Sequence, residues 1–200
     1  VRGDVLTYHN VAAGSIYTVP AVPLLLTKAT PSESSNFLTQ PSVVAAYREA
    51  GFYTAWLSTQ ARLEQGGGMV SIYSEDAEHA IFVSRETGSA SYDEQLLKLI
   101  EQELSKNTSD IFLVVHTMGS HWRYEERYPD KFDVFTPSGK TTVTTALSHD
   151  KLDILINGYD NSILYTDFFI NSVINIVEKF PADSFVLYTS DHGENLGDGP

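Results

Sequence analysis

Residues 42–58, SVVAAYREAGFYTAWLS, decide the fold. Ser42 to Ala50 carries apolar residues at helical spacing behind Pro41, and Gly51 offers the stop that helix C-termini favour. FYTAWLS, from Phe52, then reads as a buried strand. The helix-to-strand unit returns twice. DEQLLKLIEQELSK, Asp93 to Lys106, opens on acidic residues, closes on a lysine and lines Leu96, Leu97, Ile100 and Leu104 along one face. DIFLVVHT, from Asp110, follows as a continuous apolar strand. Tyr159 to Phe180 spaces Ile163, Leu164, Phe168, Val173, Ile174 and Val177 as a helix would, Pro181 ends it, and SFVLYTSD from Ser184 reads as a third buried strand. Buried strands alternating with helices specify an α/β fold: a three-layer sandwich whose mostly parallel sheet is covered by helices on both faces. Gly66-Gly67-Gly68 and Thr136 to His149 read as surface loops between the units.

Two hundred residues with 42% apolar content can bury the core of one domain. Thirteen basic against 26 acidic residues give a formal charge of -13, with no basic cluster to neutralise phosphates, so nucleic acid is not an expected partner. No window approaches the ~18 to 20 apolar residues of a membrane span. The absence of cysteine removes thiolate zinc sites, thiol nucleophiles and disulfides. An anionic substrate therefore needs a metal or a locally built site.

Open parallel sheets bind ligands at the carboxyl ends of their strands. Two histidine-bearing segments leave that edge: His116-Thr117-Met118-Gly119-Ser120-His121 and Ser190-Asp191-His192-Gly193-Glu194. Carboxylate oxygen with imidazole nitrogen suits zinc, or manganese where oxygen donors dominate, which makes Asp191 and His192 candidate ligands. Gly193 permits a sharp turn and Glu194 could orient a ligand. The competing reading has Asp191 capping a turn, His192 solvated and His116 a hydrogen-bonded structural histidine. His9, His79 and His149 read as surface residues. A nucleophile belongs near a helix N-terminus, where backbone N–H groups stabilise an anion. In NVAAGSIYTVPAVPLLLTKAT, Asn10 to Thr30, a helix starting near Thr18 leaves Pro20 harmless in the first turn, whereas a start at Ser15 puts both Pro20 and Pro23 inside. Thr18 is the first candidate and Ser15 the second; a plain N-cap is the rival reading of Thr18.

These segments, with NV at 10–11, VPLLLT at 22–27, HTMGSHWRYEERYPDKFDVFTP at 116–137, YDNSILYTDFFINSVI at 159–174 and LYTSDHGENLGD at 187–198, resemble the phosphoethanolamine transferases of Gram-negative bacteria. That family lies within the sulfatase and alkaline phosphatase superfamily. The resemblance spans nearly the whole chain. It implies a single sulfatase-like catalytic domain over residues 1–200, the periplasmic part of a longer membrane-anchored protein at the inner membrane. It also implies metal-dependent transfer of phosphoethanolamine from a phospholipid donor to a lipopolysaccharide acceptor, lipid A or core, through a covalent phospho-threonine.

Carried over by position, Asp191 and His192 resemble zinc ligands, His121 a substrate or second-metal histidine, and His116 and Glu194 further substrate-side residues. Zinc is the expected cofactor, with manganese or another divalent metal as substitute, and a monomer is expected. Ile16 stands where some relatives carry the nucleophilic threonine; Tyr17-Thr18 and Leu26-Thr27 reproduce the spacing of another branch and favour Thr18. The family's upstream acidic ligand and a downstream histidine fall outside these 200 residues, so only part of the metal site is expected here. Two other functions are weighed. A sulfatase-like ester hydrolase would need a Cys or Ser in a C/S-x-P-x-R pattern, which is absent. A catalytically inactive headgroup-binding module would need no nucleophile.

Overall fold

The computed structural model describes residues 5–32, 40–62, 68–83, 92–106, 110–141 and 150–197. Three strands, β1 (Tyr53–Ser58), β2 (His79–Phe82) and β3 (Ile111–His116), form a parallel sheet in the order β2-β1-β3. The central β1 pairs Leu57 with Ile81 on one side and Val115 on the other. Because strand side chains alternate, its adjacent residues Trp56 and Leu57 feed opposite faces.

Leu57 packs into one core with Leu96 and Ile100 of α3 (Gln95–Lys106) and Phe169, Val173 and Ile176 of α4 (Asp150–Val177). Trp56 packs into the other with Val22 of α1 (Thr18–Leu26), Val44 of α2 (Val43–Glu49), and Val70 and Tyr73 of a 3-10 helix at Met69–Asp76. Both side chains are at most 1% exposed, and burials of this kind each stabilise by about 1.5 to 3 kcal/mol. The three layers are the expected architecture.

Local chemistry explains the boundaries. Ser42 caps α2 by accepting the Ala45 N–H at 3.1 Å, and its own hydroxyl donates to Asp76 at 2.5 Å, fastening α2 to the 3-10 helix. Gly51, at φ 90°, takes the left-handed turn that leads into β1. α1 begins at Thr18 with Pro20 in its first turn; Pro23 lies inside it, tolerated in so short a helix, and Thr27 closes on the Pro23 carbonyl.

Five features depart from the sequence reading. β2 and the 3-10 helix carry too little periodicity to announce themselves. α4 begins at Asp150, nine residues before the expected start at Tyr159. His79 is no ordinary surface residue: its Nδ1 lies 3.2 Å from the buried carboxylate of Glu103, which also accepts from Tyr53 and Lys106. Residues 184–189, expected as a third buried strand, run without sheet pairing among the described residues, with Phe185 80% and Leu187 75% exposed. An apolar run becomes a strand only where a neighbour supplies its hydrogen bonds, and among the described residues β2 and β3 pair with β1 alone, so neither outer edge is used by residues 184–189. Gly66, Gly67 and His149 lie outside the described residues, as does most of the loop assigned to 136–149.

Candidate active site

The carboxyl ends of β1 and β3 stand side by side, Ser58 opposite His116 in the register. Two segments far apart in sequence meet near this rim. The Thr18 hydroxyl lies 3.2 Å from Nε2 of His192, across 174 positions of chain. Thr18 is the first residue of α1, with Tyr17 as N-cap; no side chain caps the helix. The cap reading of Thr18 is therefore not what the structure places there. First-turn N–H groups have no acceptor within their own helix, and Pro20 carries none, so Thr18 and Val19 supply the donors at this mouth. Ser15 precedes the helix and makes no hydrogen bond to the Asp191-His192 pair among the described residues.

The orientation of His192 follows from its other nitrogen. Nδ1 lies 2.7 Å from the Gly193 carbonyl oxygen, which can only accept, so Nδ1 carries the proton and donates. In the neutral ring Nε2 is then a bare lone pair, and the Thr18 hydroxyl donates to it. Asp191 Oδ2 sits 3.7 Å from that same Nε2. In a Ser-His-Asp relay the carboxylate holds the nitrogen remote from the hydroxyl. Here hydroxyl, imidazole and carboxylate crowd about one atom, an arrangement of donors suited to a cation.

The donor chemistry fits a divalent metal held by Asp191 and His192. Among the described residues, no group of three or more His, Cys, Asp or Glu side chains gathers to complete a cage.

His116 closes β3 with its Nδ1 3.0 Å from the Ser58 hydroxyl and its ring edge-on to Trp56 at 5.4 Å. Burial lowers its pKa to about 4, against the opposing pull of the nearby Asp191 charge, so at neutral pH the ring is uncharged. His121 is exposed; its Nδ1 lies 3.3 Å from the Trp122 carbonyl, while Arg127 donates to the His121 and Trp122 carbonyls. The structure does not bring His121 into hydrogen-bond contact with Thr18 or His192.

Glu194 is engaged by Tyr124, whose hydroxyl donates to it at 2.9 Å. Tyr124 is 2% exposed and packs edge-on against Tyr159. Burial, with the adjoining Glu194 carboxylate, pushes its hydroxyl well above the usual phenol range. Tyr124 and Ser58, which hydrogen-bond the candidate residues Glu194 and His116, were not singled out by the sequence; a tyrosine within the charged run Arg123 to Arg127 was the available signal. Gln60 spends its side-chain amide on the Thr117 carbonyl, and Arg62 lies over the Phe82 ring at 4.6 Å. His9 is exposed. No described helix is long and apolar enough to cross a membrane.

The sulfatase family model matches residues 2–200. Phosphoethanolamine transferase EptC of Escherichia coli K12 is 30% identical over 202 residues, covering 98% of this chain and 34% of its own length. Phosphoethanolamine transferase CptA of Salmonella typhimurium is 32% identical over 199 residues, 96% of this chain and 33% of its own. The chain thus spans about a third of these curated relatives. Among solved structures, the C-terminal periplasmic domain of Escherichia coli EptC in complex with Zn superposes with a TM-score of 0.82 at 28% identity, over 96% of this chain and 54% of that one.

Proposed function

The chain belongs to the sulfatase family, and from that premise we propose that it is the catalytic part of a metal-dependent phosphoethanolamine transferase with Thr18 as nucleophile. One observation carries the reading: the Thr18 hydroxyl donates to the bare Nε2 of His192, with Asp191 beside it, at the mouth of a helix. The names of the relatives supply the transferred group. The donor in this reading is a phospholipid and the acceptor a lipopolysaccharide, lipid A or core.

Thr18 Oγ1 loses its proton and forms a bond to phosphorus as the bond from phosphorus to the diacylglycerol oxygen breaks, and that oxygen leaves as an alcohol with the one proton Thr18 gave up. An acceptor oxygen then displaces Thr18 from the phospho-threonine and restores the free hydroxyl. First-turn N–H groups of α1 face the developing negative charge on the phosphoryl oxygens. The Gly193 carbonyl keeps His192 in the tautomer that leaves Nε2 open. A divalent cation, zinc above all, held by Asp191 and by Nε2 of His192 would take the lone pair that the Thr18 hydroxyl engages here, lower that hydroxyl's pKa and neutralise phosphoryl charge. In this reading His121, exposed after β3, contacts substrate, and His116 and Glu194 are further substrate-side residues.

The reading extends to a single monomeric domain on the periplasmic face of the bacterial inner membrane, with membrane attachment outside these residues. The full-length protein, given phosphatidylethanolamine vesicles and lipopolysaccharide, is expected to transfer phosphoethanolamine, to stop on chelation and to recover with zinc. Transfer that survives chelation removes the metal from the account. No transfer with zinc supplied leaves a headgroup-binding module.

A further inference from the structure

One buried carboxylate remains outside this chemistry. Asp93 is 5% exposed and precedes α3 by two residues, so it does not serve as the acidic first turn that the sequence suggests. Its Oδ1 accepts from the Thr59 hydroxyl at 2.5 Å and from the Met118 N–H at 2.9 Å, and its Oδ2 accepts from the Gly119 N–H at 2.9 Å. The Met118 N–H also lies 3.0 Å from Thr59 Oγ1. The exits of β1 and β3 thus close on one side chain.

That side chain is itself fixed. The Glu94 N–H donates to the hydroxyl of Tyr165 on α4, and the Asp93 carbonyl accepts from Leu96 in the first turn of α3. On the other side, Gly119, whose N–H donates to the carboxylate, sits at φ 56°, a conformation that residues with side chains rarely adopt. Two consecutive backbone N–H groups converging on an anion form the kind of concavity that binds phosphate in other proteins; here a carboxylate of the chain occupies it.

We infer that Asp93 is a positioning residue, the latch that holds the loop 117–121 against the rim and thereby sets where His121 meets substrate. The inference rests on the transferase reading for the role of His121 but not for the latch itself. Charge-assisted bonds to backbone N–H groups are among the stronger hydrogen bonds, and burial strengthens them further. Asparagine in the same place would turn an amide N–H either against the Gly119 N–H, leaving that donor without an acceptor, or against the Met118 N–H, which would keep only Thr59 Oγ1.

The test uses the full-length protein carrying Asp93→Asn, with two readouts. Amide hydrogen exchange at Met118 and Gly119 is expected to accelerate about tenfold or more while β1 amides keep their protection. In steady-state kinetics, KM for the phosphoethanolamine lipid is expected to rise about tenfold with kcat within about threefold, because Thr18, Asp191 and His192 stand on other segments. If Asp93→Asn does not fold, Thr59→Val removes one donor to the carboxylate and should move both readouts the same way by less.

Unchanged exchange at Met118 and Gly119 overturns the latch. Faster exchange with unaltered KM and kcat overturns its role in positioning. A wild-type protein that never turns over the lipid, while its Asp93→Asn variant still shows faster exchange at these two amides, sinks the transferase reading and leaves the latch standing.

Discussion

β3 and residues 184–189 look alike in sequence, each an apolar run that empties into a histidine-bearing loop. Their fates differ. β3 pairs with β1 over six register positions, and its Leu113 and Val115 pack against the core under α3 and α4. Residues 184–189 have no ladder among the described residues and leave Phe185 and Leu187 largely exposed. Apolar composition states what a segment is able to bury, whereas a neighbouring backbone decides whether it becomes a strand. The loops they feed are held accordingly. His116 and Thr117 are tied to the exit of β1 by backbone and amide bonds; residues 190–197 are tied through side chains, His192 to Thr18 and Glu194 to Tyr124.

This contrast breaks most visibly at His192. His192→Ala is expected to cut turnover of the full-length protein by about 10³-fold or more, roughly 4 kcal/mol of transition-state stabilisation, while its Tm moves by only about 2 °C. Turnover assays beside calorimetry check this. A large fall in Tm would make the segment a structural element after all.

Stability should split the other way. In the 200-residue chain, Leu113→Ala in β3 is expected to cost about 2 to 3 kcal/mol by denaturant unfolding. The same truncation at the exposed Leu187 should stay within about 0.5 kcal/mol. Equal costs would show that both runs are buried.

The pH response sharpens the β3 side. His116 has its pKa lowered by burial to about 4 in the fold, against ~6.5 when unfolded. Between those values the unfolded state binds the extra proton and the folded state does not. Stability is therefore undiminished above about pH 6.5, falls as pH drops toward 4, and loses nothing further from this group below that. The loss is on the order of 2 kcal/mol for a ring that water still partly reaches. His116→Gln should flatten this part of the pH profile of unfolding.

A smaller effect tests the other loop. Tyr124→Phe removes one hydrogen bond to Glu194 and is expected to cost about 1 kcal/mol, with amide exchange rising in residues 190–197 and not in β3.

Much of this was legible in the sequence because the signals are local. Gly51 and Ser42 mark the ends of α2, the stripe of Leu96 and Ile100 marks α3, and the prolines at 20 and 23 push the start of α1 to Thr18. β2 is four residues long and opens on a histidine, and the 3-10 helix before it repeats on no helical period, so neither leaves a pattern to read. The site divides the same way. Asp191 and His192 are visible as donors at the end of an apolar run, and Thr18 as a hydroxyl at a helix mouth. That the hydroxyl meets the bare nitrogen is a tertiary fact spanning 174 residues, as are the Tyr124 and Asp93 contacts, and no local rule encodes it.

The central claim is that Thr18 is the residue that takes up the phosphoryl group. Peptide mass spectrometry on the full-length protein, quenched after exposure to a phosphoethanolamine lipid with zinc and no acceptor, tests it directly. The account predicts a phosphoethanolamine adduct on the peptide containing Thr18, localised to that residue and absent from Thr18→Ala. An adduct on Ser15, or one that persists in Thr18→Ala, would contradict it.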